Sequence, residues 1–436
     1  MTTDHRTGPE GPSPQRVFWI SCIGTTLEFY DFLAYGIAAA LVFNTLFFPA
    51  EDPLVGTLLA FATFGAGFLA RPIGGVVIGH FGDRLGRRRM LVLTLTIMGA
   101  STLLIGLLPT YDSIGVWAPV LLVVLRIVQG FAAGGEWGGA ALYGVESAPP
   151  GRRGLFGSFT SMGIGLGALL STLVFTVVNA IFADDLAAWG WRIPFLLGGL
   201  LVFIGIVARR GMEDTPEFQT AEPAKLPVVE AIRLAPRQVL LTFGLSLGYN
   251  TLAYLSFTFF LAYAKGEGYS SSAALWGQLL YSVTIFVAAP LFAMWSDRMG
   301  RRLVIVLGGA ASGVFMFIYF PLVGTGLVPL MLLAFAITGP LMAAMQGPLP
   351  ALAADQFPVH VRYSGMSAGY QIGAALGGGL APTIATALYA SGDHASWPVA
   401  VYGAVASVVV IACAALLRES SADATPAVGE VLTDRD

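Results

Sequence analysis

Five ionisable side chains sit inside long apolar runs of this chain: Glu28, Asp31, Arg71, Arg126 and Glu136. A charge at the centre of a membrane helix costs about 2.5–3.5 kcal/mol on insertion scales, so each is a functional candidate until a partner accounts for it. Glu28 and Asp31 share one helical face with Tyr35, at about 100° of rotation per residue. Two carboxylates that close in a low dielectric resist ionising together, which suits a group that takes up and returns a proton. Glu136 is a third acid of the same kind, and the plainer alternative is that one of them pairs with an arginine. Arg126, Gln129, Ala133, Glu136 and Trp137 fall within about 100° of arc on an ideal helix. The small Gly134, Gly135, Gly138 and Gly139 beside them let neighbouring helices approach. Arg126 can grip a carboxylate by a two-pronged contact, or serve as the fixed partner of Glu28 or Asp31. Arg71 precedes Pro72, which predicts a local break in the helix. A second buried cation favours an anionic or zwitterionic ligand; the structural alternative for Arg71 is a pair with Glu136. His5, His80, His360 and His394 fall in tails, loops or span ends, so a proton path must use carboxylates. With only Cys22 and Cys413 beside them, neither a metal site nor a cofactor is expected.

The elements that must hold these groups follow from composition. The chain has 436 residues, 56% hydrophobic and 11% charged. Soluble domains carry about 25% charged residues, so the solvent here is lipid. The net charge of −3 and the absence of a basic tail give no reason to expect nucleic acid as a partner. Apolar runs between charged or Pro/Gly-rich breaks predict twelve membrane helices, an all-α membrane protein. They lie near 17–47, 54–81, 90–109, 116–145, 154–182, 191–208, 238–264, 272–294, 303–323, 328–354, 363–390 and 396–417. The expected organisation is a tail (1–16), a six-helix bundle (17–208), a polar linker (209–237), a second six-helix bundle (238–417) and a tail (418–436). All basic residues but Arg71, Arg126, Arg192 and Lys265 lie in the even-numbered connections, the linker or the tails, which predicts that both termini are cytoplasmic.

One charged stretch occurs twice. "GHFGDRLGRRRML" lies between spans two and three, and "AMWSDRMGRRLVI" between spans eight and nine, with Asp83 and Asp297 separated by 214 residues (297 − 83). Each copy falls at the same place in a six-span half, the mark of a carrier built from two repeats with its substrate site between them. The buried charges are not repeated: no span interior from 238 to 417 holds an acid or base other than Tyr or Cys. Protons and charge are therefore expected in the first half. The second is expected to offer neutral contacts, from Tyr249, Asn250, Tyr254, Gln278, Gln346, Tyr370 and Gln371. Glu146 and the start of span eleven after Arg362 are the expected partners of Asp83 when the cytoplasmic side is closed.

The run Gly79-x-x-x-Asp83-Arg84-x-Gly86-Arg87, with "RIVQG" at 126–130, resembles the signatures of the major facilitator superfamily. "GTTLEFYDFLAYG", "RPIGG", "GGEWGGA", "GWRIPFL", "EDTPEF" and "FPVHVRYSGMSAGYQIGAALGGGLAP" narrow the resemblance to its metabolite:proton symporter family, over about residues 17–417. The resemblance implies a monomeric secondary transporter of a bacterial plasma membrane, importing a small carboxylate or betaine-like metabolite with protons by alternating access. Proton coupling falls to Glu28, Asp31 and Glu136. Substrate contact falls to Tyr35, Arg71, Arg126, Gln129, Tyr249, Asn250, Tyr254, Gln346, Tyr370 and Gln371. Gating falls to Gly79, Asp83, Arg84, Gly86, Arg87, Glu146, Arg153, Asp297, Arg301 and Arg362. A sodium-coupled or exporting carrier and a nutrient sensor of the same fold are the alternatives. No cluster of nucleophile, acid and base marks an enzyme. No Gly-x-x-x-x-Gly-Lys loop is present, so the expected energy source is a gradient. The brief tail lacks heptads, and Ala293 replaces the first copy's Gly79 in the second.

Overall fold

In lipid a chain must satisfy its own backbone polar groups, and a long apolar run does so as a helix. The computed structural model describes residues 13–50, 52–85, 87–182, 185–209, 227–358 and 361–419. The side chains of residues 76, 79–89, 91, 135–136, 203–209 and 227–229 fall outside that description. Twelve long helices run through the described residues: Pro14–Leu46, Pro53–Leu85, Arg87–Leu107, Trp117–Glu146, Arg153–Phe182, Arg192–Arg209, Pro236–Gly266, Ser271–Met299, Arg301–Val323, Val328–Ala354, Arg362–Ser391 and Trp397–Leu416. These are spans one to twelve. Ten contain stretches long and apolar enough to cross a membrane; the shorter apolar stretches Val92–Leu107 and Leu186–Val202 belong to spans three and six. Of the linker, Pro227–Leu234 forms a short helix.

Within the first half, span one packs on span five, span two on span four, and span three on span six. In the second half, seven packs on eleven, eight on ten, and nine on twelve. Two broad seams join the halves, span five against eight and span two against eleven. Exchanging corresponding spans of the two halves, two for eight and five for eleven, turns one seam into the other, so the two are one contact seen twice about a pseudo-twofold axis. Glycine lets backbones close on these surfaces. A Cβ on Gly65 of span two would stand 2.5 Å from the carbonyl oxygen of Gly379 in span eleven.

Four spans carry irregularities that repeat between the halves, while a further π turn at Leu186–Gly190, leading into span six, has no counterpart among the described residues leading into span twelve. Span one contains a π turn at Ala39–Phe43 and span seven one at Leu255–Phe259, an offset of 216 (255 − 39). Span four tightens into a 3-10 turn at Ala133–Gly135, and span ten breaks at Gly347, an offset of 214 (347 − 133). Span ten breaks because Pro348 and Pro350 have no N–H to give the carbonyls of the preceding turn. Span four has no proline there; its adjacent Gly134 and Gly135 loosen the backbone instead.

Two expectations change. Span two does not break at Pro72 but continues as one α-helix from Pro53 to Leu85. Membrane helices tolerate proline where neighbours and small local adjustments satisfy the freed carbonyl. The ideal-helix arc drawn from Arg126 to Trp137 does not hold, because the 3-10 turn changes the rotation per residue between them.

Candidate functional site

Four of the five membrane charges split into two groups. Glu28 of span one forms an ion pair with Arg71 of span two, both almost fully buried. Asp31, one turn along, points elsewhere: its Oδ2 accepts a hydrogen bond from the Thr102 hydroxyl of span three at 2.9 Å. Gln129 Nε2 donates to the same Thr102 oxygen at 2.7 Å, and Gln129 Oε1 accepts from Arg126 Nη1 at 2.5 Å. An unbroken chain of hydrogen bonds thus joins a carboxylate on span one to a guanidinium on span four. Glu136 lies in span four, with its side chain outside the described residues.

Rings close around both cations. The Arg126 guanidinium stands 4.2 Å from the ring centres of Phe32 and Tyr35 and 5.2 Å from that of Phe64. That of Arg71 lies 4.3 Å from Phe32 and 5.2 Å from Phe68. Each such contact contributes about 2 kcal/mol when desolvated, which helps offset the burial of charge. Tyr35 is held in turn by a 2.5 Å hydrogen bond with Thr63. Arg126 Nε and Nη2 have no hydrogen-bond partner among the described residues, so two of its nitrogens are unused.

Toward the second half, Tyr254 packs on Phe68 at 4.9 Å and Phe64 at 5.6 Å between ring centres. Beyond it lies a small central cavity of about 40 Å³ between the halves. Five of the residues marked from the sequence, Tyr249, Asn250, Tyr254, Gln346 and Tyr370, line it. Tyr35, Arg71, Arg126, Gln129 and Gln371 are not among its lining residues. Phe29, Leu33, Phe257 and Tyr281 also line it, and sequence reasoning missed them. Their signal was spacing: Phe29 and Leu33 are four apart, while Tyr249, Ala253 and Phe257 continue one stripe along span seven. Gln278, also marked as a neutral contact, is fully buried in span eight and is not among the lining residues.

The helix breaks serve this centre. Gln371 Nε2 of span eleven donates to the Gly134 carbonyl in the tightened turn of span four, at 3.1 Å. Ser161 of span five donates to the Gln346 carbonyl at the break of span ten, at 2.8 Å. Each half therefore offers a backbone acceptor at a break, and the other half supplies the donor. Beside the first bond, Trp137 and Tyr370 stack across the halves at 3.4 Å.

At the end bearing the even-numbered connections the halves are tied by charge. Asp297 accepts from the N–H groups of Gly154 (2.7 Å) and Leu155 (3.0 Å), at the positive start of span five. Asp355 receives Arg153 at 3.0 Å and also Arg301. Arg362 pairs with Glu146 at 3.2 Å. Glu146, expected as a partner of Asp83, thus takes an arginine. Gly79, Asp83, Arg84 and Arg87 have side chains outside the described residues, and Gly86 lies outside them entirely. Asp355, absent from the residues expected to gate, is the acid shared by two of these ties; an acid at a span end otherwise rich in arginine was its signal.

The comparisons with known proteins agree with this architecture. Residues 17–226 match the family model described as sugar (and other) transporter, and residues 268–432 that of the major facilitator superfamily. The chain is 42% identical over 415 residues to the shikimate transporter of Escherichia coli (strain K12), covering 92% of this chain and 93% of that protein. It is 32% identical over 428 residues to the proline/betaine transporter of the same strain, covering 94% of this chain and 85% of the relative. The xylose transporter XylE from E. coli, in a partially occluded inward open conformation, shares the fold with a TM-score of 0.71 at 18% identity, over 93% of this chain and 98% of that one. With its helices, paired seams and relatives together, this chain belongs to the major facilitator superfamily and, within it, to the metabolite:proton symporter family: it is a membrane transporter, not an enzyme.

Proposed function

We propose that the protein is a proton-coupled importer of a small organic acid or zwitterion in a bacterial inner membrane, working as a monomer with both termini in the cytoplasm. The observation that carries the reading is the buried chain Asp31–Thr102–Gln129–Arg126, which connects a proton-binding group to a cation with unused donors. Asp31 is the proton carrier, while Glu28 is held by Arg71. Arg126 meets the substrate's carboxylate when the Phe64–Tyr254 layer parts. Tyr249, Asn250, Tyr254, Gln346 and Tyr370 hold the rest of the molecule. The charged ties among Arg153, Asp297, Arg301, Asp355, Glu146 and Arg362 close the cytoplasmic side. The names of the relatives support the substrate class, since one carries shikimate and another proline and betaine.

The test is uptake into proteoliposomes under an imposed pH gradient, with labelled shikimate and glycine betaine as first probes and other small carboxylates after them. Accumulation above the outside concentration, abolished by a protonophore, is expected. Asp31→Asn should lose accumulation at least about tenfold while keeping substrate exchange, since about 1.4 kcal/mol of coupling is removed for each factor of ten. Uphill uptake unchanged in both Asp31→Asn and Glu28→Gln would remove these acids from the coupling role. Drive by a sodium gradient alone, efflux alone, or binding with no transport would replace the reading with one of its alternatives.

A further inference from the structure

We infer that Thr102 is the positioning residue that passes the protonation state of Asp31 to Arg126, with Gln129 as the link between them. The inference rests on the proton-coupled reading above. Its basis is a count of hydrogens. A threonine hydroxyl has one hydrogen to give and two lone pairs to receive. Thr102 has two acceptors within reach, Asp31 Oδ2 at 2.9 Å and the Met98 carbonyl, one turn back, at 3.0 Å. It can satisfy only one fully at a time. One lone pair is already taken by Gln129 Nε2 at 2.7 Å. Asp31, Thr102, Gln129 and Arg126 are all at most 1% exposed, so bulk water does not blur the choice.

While Asp31 is ionised, its Oδ2 claims the hydroxyl hydrogen. Once Asp31 carries a proton on its other oxygen, that claim weakens, and the hydrogen turns to the Met98 carbonyl. The Thr102 oxygen then presents different lone pairs to Gln129, whose other end holds Arg126 at 2.5 Å. The guanidinium is thereby released or held according to the acid's state, with no direct ion pair between them. The place for the proton is also visible. Asp31 Oδ1 has no hydrogen-bond partner among the described residues. Span six meets it at Gly198, where a Cβ would stand only 2.7 Å away.

The other groups facing Asp31 are accounted for. On its own span, Tyr30 donates to the Pro194 carbonyl at 2.8 Å, and Glu28 is paired with Arg71 of span two. Span three offers Thr102, span six the backbone at Gly198, and span four Arg126, the charge the relay serves.

A measurement that needs no substrate tests this. Cys22 and Cys413 are replaced by serine, and spin labels are placed at Trp19→Cys and Leu303→Cys, exposed positions near the even-connection ends of spans one and nine. The distance distribution between the labels, read by pulsed electron resonance at acid and alkaline pH, reports how the halves rock. With Thr102 intact, the populations should shift about tenfold between the two conditions. Asp31→Asn should abolish the shift. Thr102→Val should reduce it below about twofold, and Thr102→Ser should restore it. Gln129→Met, which breaks the next link, should behave like Thr102→Val and carries the test if that variant does not fold. A full shift in Thr102→Val or Gln129→Met overturns the relay, as does a full shift in Asp31→Asn. Loss of the shift in Thr102→Ser as well as in Thr102→Val assigns the residue to packing and overturns it too. No shift with Thr102 intact instead defeats the proton-coupled reading on which the relay rests.

Discussion

At the scale of single residues, the membrane charges are organised as one tight pair and one relay, although Glu28 and Asp31 are only a turn apart. The sequence places both acids on a common face, and that much is geometry any helix must obey. Which neighbour each acid meets depends on how spans two, three and six are arranged around span one, and no local pattern encodes it. A second residue-scale finding explains an exception to the charge bias. Arg192, on the odd-connection side, donates to the carbonyls of Gly106 (3.1 Å) and Leu108 (2.7 Å), capping the end of span three. The Glu28–Arg71 pair has a measurable signature. Arg71→Met leaves a buried carboxylate without its cation and should cost about 3–5 kcal/mol, whereas Glu28→Gln with Arg71→Met should cost clearly less than the single change. Thermal unfolding in detergent of the two singles and the double reads the coupling; additive effects would mean that the two side chains do not support each other.

At the scale of helices, the twelve spans are legible in the sequence because membrane thickness sets their length and the apolar runs report it directly. The irregularities are not. A π turn needs no special residue, and Ala39–Phe43 reads as ordinary apolar helix. The "QGPLP" stretch of span ten did carry a signal, two prolines without N–H groups, whereas Pro72 carried the same signal in a helix that does not break. Whether a proline interrupts depends on what neighbouring spans can supply. The seam between spans two and eleven yields a prediction of its own. Gly65→Trp places a ring where a backbone carbonyl stands 2.5 Å from a mere Cβ, so the halves cannot close at that seam. The labels on spans one and nine should then report a population held closed on the even-connection side, shifted at least about tenfold; an unchanged distribution would mean that the seam yields elsewhere.

At the scale of the molecule, the described residues place a cavity of about 40 Å³ between the halves. Rings and a glycine seam join the halves on one side of it, and charged ties join them at the even-connection end. The charged end was legible in kind, since Glu146, Arg153, Asp297, Arg301 and Arg362 all take part in its ties. The partnerships were not, because they join positions up to 216 residues apart in sequence. Asp355→Asn removes the shared anion of Arg153 and Arg301. The spin-labelled pair should move toward opening on that side, opposite to Gly65→Trp, by a few-fold because Arg153 is about one-third exposed and its pair correspondingly weak. The paired irregularities set a division of labour. Bends recur at offsets of 214 and 216, so both halves yield at matching places. Acids and arginines of the span interiors lie in the first half alone. The two halves thus share their joints but not their charge, and a change of cargo chemistry in one leaves the hinges of both untouched.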